Sequence, residues 1–345
     1  MNLERLLRKN IISLSAYSSA RDEFKEVNEA FVFIDANENP NNNGYNRYPD
    51  PQQTAVKQKL AELRDLEINQ ILLGNGSDEV LDLIFRAFCE PNNDNIITLP
   101  PTYGMYSVLA NLNAVEIREV LLSTEFQPKV NSILEQQDQR SKLLFLCTPN
   151  NPTANSFDND LIESLLRSFN GIVVIDEAYI DFSINESWLS RLNEFPNLIV
   201  TQTFSKAFGL AGIRLGICYA SKEIIAVLNK IKPPYNINQL TQNVALEKLE
   251  RITNVKEEVN SIINERQTLI SQLETIPLFV KIYPSDANFL LVQVDDANLR
   301  YRQLISKGIV VRNRTNQPLC HNCLRLTIGT PEENQKLITF LNQLS

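Results

Sequence analysis

The chain has 345 residues, of which 43% are hydrophobic and 21% charged. That composition has room for one large domain or two lobes and argues against disordered and fibrous classes. A net charge of −8 supplies no basic face, so neither nucleic acid nor an anionic membrane is expected as a main partner.

The opening stretch MNLERLLRKNIISLSAY interleaves charges with leucines and lacks the apolar core of a signal peptide. No apolar run reaches the roughly 18 residues of a membrane span, so a cytoplasmic address is expected. Asn41-Asn42-Asn43 before Gly44 reads as a turn-rich loop. From Ile71 to Ala220, short apolar runs alternate with amphipathic stretches: Ile71–Leu73, Ile96–Leu99, Val115–Leu121, Leu143–Cys147, Ile172–Ile175, Leu198–Thr201 and Leu215–Ala220 read as strands. Several are apolar throughout, as central strands buried on both faces must be. Glu79–Phe88, Asp160–Phe169 and Ile224–Ile231 place apolar residues at helical spacing. The pattern predicts an α/β fold with a mostly parallel central sheet flanked by helices.

Beyond Pro233-Pro234 a charged, helix-forming region runs from Gln239 to Leu273. Strand candidates follow at Asn288–Val294, Ile309–Arg312 and Leu324–Ile328, and a helix starts after Pro331. This part reads as a smaller α+β domain. The expected division is an N-terminal segment over 1–43 that packs with the small domain, a large domain over 44–240 and a small one over 241–345. Five cysteines form no regular framework and suit reduced thiols. Cys320-His321-Asn322-Cys323 resembles half a zinc site, but no second pair exists and no metal is expected.

Chemistry gathers in the loops where open α/β sheets bind ligands, outside the carboxyl ends of the strands. GNGSDE (Gly74 to Glu79) opens a helix, whose free N–H groups attract anions. Glu79 stands where a dinucleotide motif needs glycine, and no P-loop lysine is present. PPTYGMY (Pro100 to Tyr106) offers Tyr103 as an aromatic face, and TPNNPT (Thr148 to Thr153) offers an amide. VVIDEAYIDF ends an apolar strand with Asp176, a carboxylate that is costly to bury without a cation. TFSKAFGLAGIRLG carries Lys206 and Arg214 among glycines. Singly, each has a plain reading: a helix cap, a packing tyrosine, a turn, a surface lysine. Together they suit pyridoxal phosphate (PLP), which has a phosphate, a flat pyridinium ring, a phenolic oxygen and an aldehyde that condenses with lysine.

In this order the motifs resemble the fold type I PLP-dependent aminotransferases, over nearly the whole chain. The resemblance implies that Lys206 bonds to the cofactor and that Asp176 pairs with the pyridine nitrogen. It further implies that Asn151 and Tyr179 reach the phenolic oxygen, that Tyr103 stacks on the ring, and that Ser77, Asp78, Ser205 and Arg214 hold the phosphate. LSAYSSAR (Leu14 to Arg21), DANENP, YNRYPDP, VVRNR and LRLTIGT narrow the likeness to the histidinol-phosphate aminotransferase family. That family implies a homodimer in which Tyr48 reaches the partner's cofactor phosphate. Arg325, assisted by Arg312, would meet the substrate's anionic group, while Tyr17 and Asn37 would line the substrate pocket. The implied substrates are histidinol phosphate, glutamate and 2-oxoglutarate. Aromatic amino-acid aminotransferases and phospho-amino-acid decarboxylases share the cofactor residues, and a PLP-sensing regulatory module is an alternative of another class. One departure is Ala154, which follows Asn151-Pro152-Thr153 where the family commonly has glycine; its turn is expected to have negative φ or some strain.

Overall fold

A computed structural model describes residues 2–17 and 32–344; Ser18 to Arg21 of the LSAYSSAR segment lie outside the described residues. The apolar runs become the strands of one seven-stranded sheet: β1 (Ile71–Asn75), β2 (Asn95–Thr98), β3 (Glu116–Glu119), β4 (Ser141–Cys147), β5 (Ile172–Asp176), β6 (Leu198–Thr203) and β7 (Leu215–Ala220). Their spatial order is β1-β7-β6-β5-β4-β2-β3, and β7 alone runs against its neighbours. The chain leaves β2 toward β3 and leaves β4 in the other direction toward β5 and β6, so the order reverses between β2 and β4. A crevice opens at such a reversal.

Side-chain alternation explains the layering. Along β4, Leu144 and Leu146 enter one core while Leu143, Phe145 and Cys147 enter the other. Val173 and Ile175 of β5 divide from Ile172 and Val174 in the same way. Both faces are therefore covered, which accounts for the uninterrupted apolar runs. The helices that cover them are α1 (Lys9–Ile12), α2 (Thr54–Arg64), α3 (Ser77–Phe88), α4 (Met105–Leu112), α5 (Val130–Gln136), α6 (Asn159–Ser168) and α7 (Lys222–Ile231). Within 1–43, Leu6 and Ile11 join the core beneath α3, and the Arg8 amide donates to the Ala87 carbonyl at 3.0 Å. This part of the segment packs on the larger lobe rather than on the small domain expected for it.

The helix-forming region from Gln239 is two helices, α8 (Gln239–Glu250) and α9 (Ile252–Leu273), which meet at Arg251. Val255 and Val259 of α9 belong to the large lobe's core, whereas Leu269 and Leu273 belong to the small lobe's. Between them the buried Arg266 donates to the carbonyls of Phe182 at 3.2 Å and Ala287 at 2.8 Å. The small lobe adds β8 (Phe279–Ile282), β9 (Phe289–Val294), α10 (Ala297–Ser306), β10 (Arg312–Asn313), β11 (Cys323–Thr327) and α11 (Pro331–Leu341). Its antiparallel sheet has the order β10-β11-β9-β8.

Candidate active site

The loops singled out in the sequence converge at the carboxyl ends of β2, β4, β5 and β6. They enclose a cavity of about 160 Å³ lined by Ser77, Asp78, Tyr103, Asn151, Asp176, Tyr179, Ser205, Lys206 and Arg214. Cys147, Ala178, Thr203 and Ala211 complete its wall, residues that the sequence reading left unassigned. Larger depressions, of about 710 Å³ beside α2 and about 780 Å³ at the amino ends of β4 to β6, contain none of the cavity's groups.

One end of the cavity is built for an anion. Gly76 precedes α3 with φ +82°, and a Cβ there would lie 2.5 Å from Arg214 Nη2. Gly216 brings β7 against the first turn of α3, where an added Cβ would lie 2.3 Å from the Ser77 amide nitrogen. Two glycines thus let the helix N-terminus, with its free N–H groups, sit beside the Arg214 guanidinium. Arg214 Nη1 reaches Ser205 Oγ at 3.5 Å and the Ala211 carbonyl at 3.3 Å. The Asp78 carboxylate lies 3.7 Å from Arg214 Nη2 and accepts from the Tyr103 hydroxyl at 3.1 Å, so its side chain orients those two groups.

The other end holds the carboxylate and the amine. Asp176 closes β5, fully buried; its Oδ2 accepts from the Tyr106 hydroxyl at 2.7 Å and its Oδ1 from the Ala178 amide at 3.2 Å. Among the described residues no cation lies within ion-pair distance of it. Burial pushes its pKa above the usual carboxylate value, against the Tyr106 and Ala178 hydrogen bonds. Lys206 Nζ is 5.6 Å from the centre of the Tyr179 ring. Burial lowers the Lys206 pKa, the charge of Arg325 lowers it further, and Asp176 opposes both. A buried carboxylate without a cation, an amine in the same cavity and an anion cradle at the far end fit a phosphorylated, cationic aromatic aldehyde, and so fit PLP.

Tyr106 was missed in the sequence. It stands one helical turn after Tyr103, in a stretch whose aromatic residues read as core, and its ring does stack on Phe145 at 4.6 Å. Tyr103 meets the Tyr106 ring edge-on at 5.6 Å. Tyr179 is buried, meets Phe289 edge-on at 5.0 Å, and keeps its hydroxyl proton because burial raises its pKa. Arg325 donates to Asn151 Oδ1 and lies 5.2 Å from the Phe289 ring centre, so it joins the cavity's rim from the small lobe.

Four predicted residues lie away from the cavity wall. Arg312 is exposed, opposite Arg325 in the β10–β11 pairing. Tyr17 is 74% exposed, and Asn37, with φ +54°, is exposed as well. Tyr48 is 51% exposed and stacks on Tyr235 at 4.5 Å beside a separate depression of about 410 Å³. Ala154 adopts the strained option, with φ +69°; its amide donates to the Asn150 carbonyl at 2.7 Å and its own carbonyl accepts from the Asp286 amide at 2.8 Å.

Residues 9–341 match the family model described as aminotransferase class I and II. The chain is 62% identical over 343 residues to a histidinol-phosphate aminotransferase of Flavobacterium psychrophilum, with 99% of each covered. It is 63% identical over 343 residues to the enzyme of that name from Christiangramia forsetii, covering 99% of this chain and 98% of that one. The fold is shared with the crystal structure of histidinol-phosphate aminotransferase from Sinorhizobium meliloti in complex with pyridoxal-5'-phosphate: TM-score 0.80 and 23% identity, covering 87% of this chain and 84% of the other. With a family match that spans nearly its whole length and a cavity whose groups suit that family's chemistry, the chain belongs to the aminotransferase class I and II family.

Proposed function

We propose that this protein is a histidinol-phosphate aminotransferase: it uses PLP to move an amino group between glutamate or 2-oxoglutarate and histidinol phosphate or imidazole acetol phosphate. One observation carries the reading. Lys206 and the cation-free carboxylate of Asp176 share a cavity with Arg325 at its rim, in a chain whose full length is 62% identical to an enzyme of that name.

When bound, PLP supplies an aldehyde that condenses with amines and a ring that takes up the electron pair left when a Cα–H bond breaks. The chain's residues bind, orient and move protons around it. The N-terminus of α3 at Ser77 and Asp78, with Ser205 and Arg214, holds the phosphate. Asp176 would pair with the ring nitrogen and hold a proton there. Asn151 and Tyr179 would hydrogen-bond the phenolic oxygen, and Tyr103 would stack on the ring. Lys206, whose pKa is lowered by burial and by the charge of Arg325, would act as the base that takes the substrate's Cα proton at Nζ. Arg325, assisted by Arg312, takes the substrate's anionic end, a carboxylate in glutamate and a phosphate in histidinol phosphate.

The same reading makes the protein a cytoplasmic homodimer. Among the described residues no helix is long and apolar enough to cross a membrane, and all five cysteines are free. Tyr17, Val32, Ile34, Tyr45 and Tyr48 are exposed aromatic or aliphatic side chains along one segment, which supports cover by a second subunit and a reach by Tyr48 into its site. Tyr17 and Asn37 then complete the substrate pocket.

The test is the near-ultraviolet and visible spectrum of the PLP-loaded protein. Histidinol phosphate should convert the cofactor's absorption to that of the amine form while phenylalanine barely acts. An equal response to phenylalanine would replace the substrate assignment with an aromatic one.

A further inference from the structure

Arg314 was assigned no role from the sequence, yet it is less exposed than Arg312. The pairing of Arg312 with Arg325 continues through the Arg314 amide, which donates to the Cys323 carbonyl at 2.8 Å. Arg314 follows directly after the end of β10 at Asn313. Arg312 is exposed, whereas Arg314 and Arg325 are half-buried, and the Nε of each is buried without an acceptor. Among the described residues none of these arginines makes an ion pair. The electrostatics agree with that placement. After burial, Arg314 is the larger influence lowering the Arg325 pKa, ahead of Arg312, and Tyr179 on the cavity wall feels Arg325 and Arg314.

A carboxylate has one negative charge and two oxygens, which a single guanidinium fork satisfies. A phosphate monoester near neutral pH carries close to two charges on three oxygens. Half-buried guanidinium groups with unsatisfied N–H donors and no acidic partner suit the second better than the first.

We propose that Arg314 is a specificity residue that shares the substrate's phosphate with Arg325 and so separates the phosphorylated amino donor from glutamate. The assignment rests on the function proposed above and ranks Arg314 above Arg312 in that role.

The experiment compares wild type, Arg314→Gln, Arg314→Lys and Arg312→Gln. Arg314→Gln should lower kcat/KM for histidinol phosphate by about 10- to 100-fold, mainly through KM, and change that for glutamate less than about threefold. Arg314→Lys should recover part of the loss. Binding is read separately by calorimetry on protein loaded with pyridoxamine phosphate, in which an amino donor cannot react. There Arg314→Gln should weaken histidinol phosphate by a similar factor and leave histidinol, which has no phosphate, unchanged. An equal loss for histidinol and histidinol phosphate, or a larger loss in Arg312→Gln than in Arg314→Gln, would overturn the assignment. A wild-type protein indifferent to histidinol phosphate would overturn the functional reading first, and this assignment with it.

Discussion

Tyr106 donates its hydroxyl hydrogen to Asp176 at 2.7 Å across 70 residues of sequence, and both side chains are buried. Burial raises the Tyr106 pKa well above its ordinary value, with the Asp176 charge adding to the effect, so Tyr106 remains a donor. Tyr106→Phe keeps the ring on Phe145 and removes only that donor. Hydrogen bonds to charged groups are worth about 1.5–3 kcal/mol. PLP affinity should therefore fall about tenfold or more, measured by titrating the apoprotein. The carboxylate loses a group that favours its charged form, its pKa rises, and the acid limb of the kcat/KM profile should move to higher pH. An unmoved limb would show that the Ala178 amide alone suffices.

Gly216→Ala tests the phosphate cradle. The added methyl would lie 2.3 Å from the Ser77 nitrogen and 2.4 Å from the Gly76 carbonyl carbon, both backbone atoms that no rotamer change relieves. The first turn of α3 has to move from β7. Unfolding free energy should fall by about 1–3 kcal/mol and PLP affinity by at least about tenfold. Retained cofactor affinity at reduced stability would detach the cradle from phosphate binding.

Lys57 is a buried cation on α2 beside Lys232, also buried, whose Nζ donates to the Pro51 carbonyl at 3.1 Å. Desolvation, then the Lys232 charge, lowers the Lys57 pKa to about 8. The folded state therefore binds fewer protons than the unfolded state between about pH 8 and the ordinary lysine range, and stability rises with pH through that window. Lys57→Met should stabilise the protein at pH 7 by about 1–3 kcal/mol, an advantage that shrinks as the pH rises above about 8. Chemical denaturation at the two pH values measures it; a constant difference would exclude the charge as cause.

Glu177 follows Asp176 but turns into a different network, accepting from Ser187, Gln202 and the Trp188 amide. Burial pushes its pKa up to about 7 against those hydrogen bonds. A raised carboxyl pKa means that the folded state holds the extra proton, so this residue's contribution is lost as pH rises from the ordinary glutamate value to about 7. Relative to wild type, Glu177→Gln should gain stability across that interval, by about 1–3 kcal/mol. Parallel stability curves for the two proteins would refute the assignment.

The large sheet was legible because its strands are buried on both faces and read as apolar runs. β8 escaped notice: Phe279–Ile282 has no fully buried residue and no alternating face. α2 escaped because its N-cap position, Gln53, supplies no capping side chain to mark its start. The break at Arg251 lies within a stretch of helix formers, and only the backbone angles there, φ −104° and ψ 35°, reveal it. In the site, the motif order pointed to groups that now line one cavity. Tyr106 and Arg314 were not legible for a different reason: a core-like tyrosine and one arginine among several acquire meaning only from partners distant in sequence. Ala154 was legible as a position of either negative φ or strain, because alanine in a glycine's place restricts the backbone locally; its φ of +69° is the second of these.

The 22-residue helix α9 starts in one core and ends in the other, pinned near its middle by Arg266. A shaft set in two bearings cannot bend between them without breaking its own backbone bonds, so relative motion of the lobes has to be a tilt of the small lobe together with the shaft. Melting either core strips one half of the helix of the packing that keeps it helical. The lobes are therefore expected to unfold in a single cooperative transition, and limited proteolysis to release no intact half.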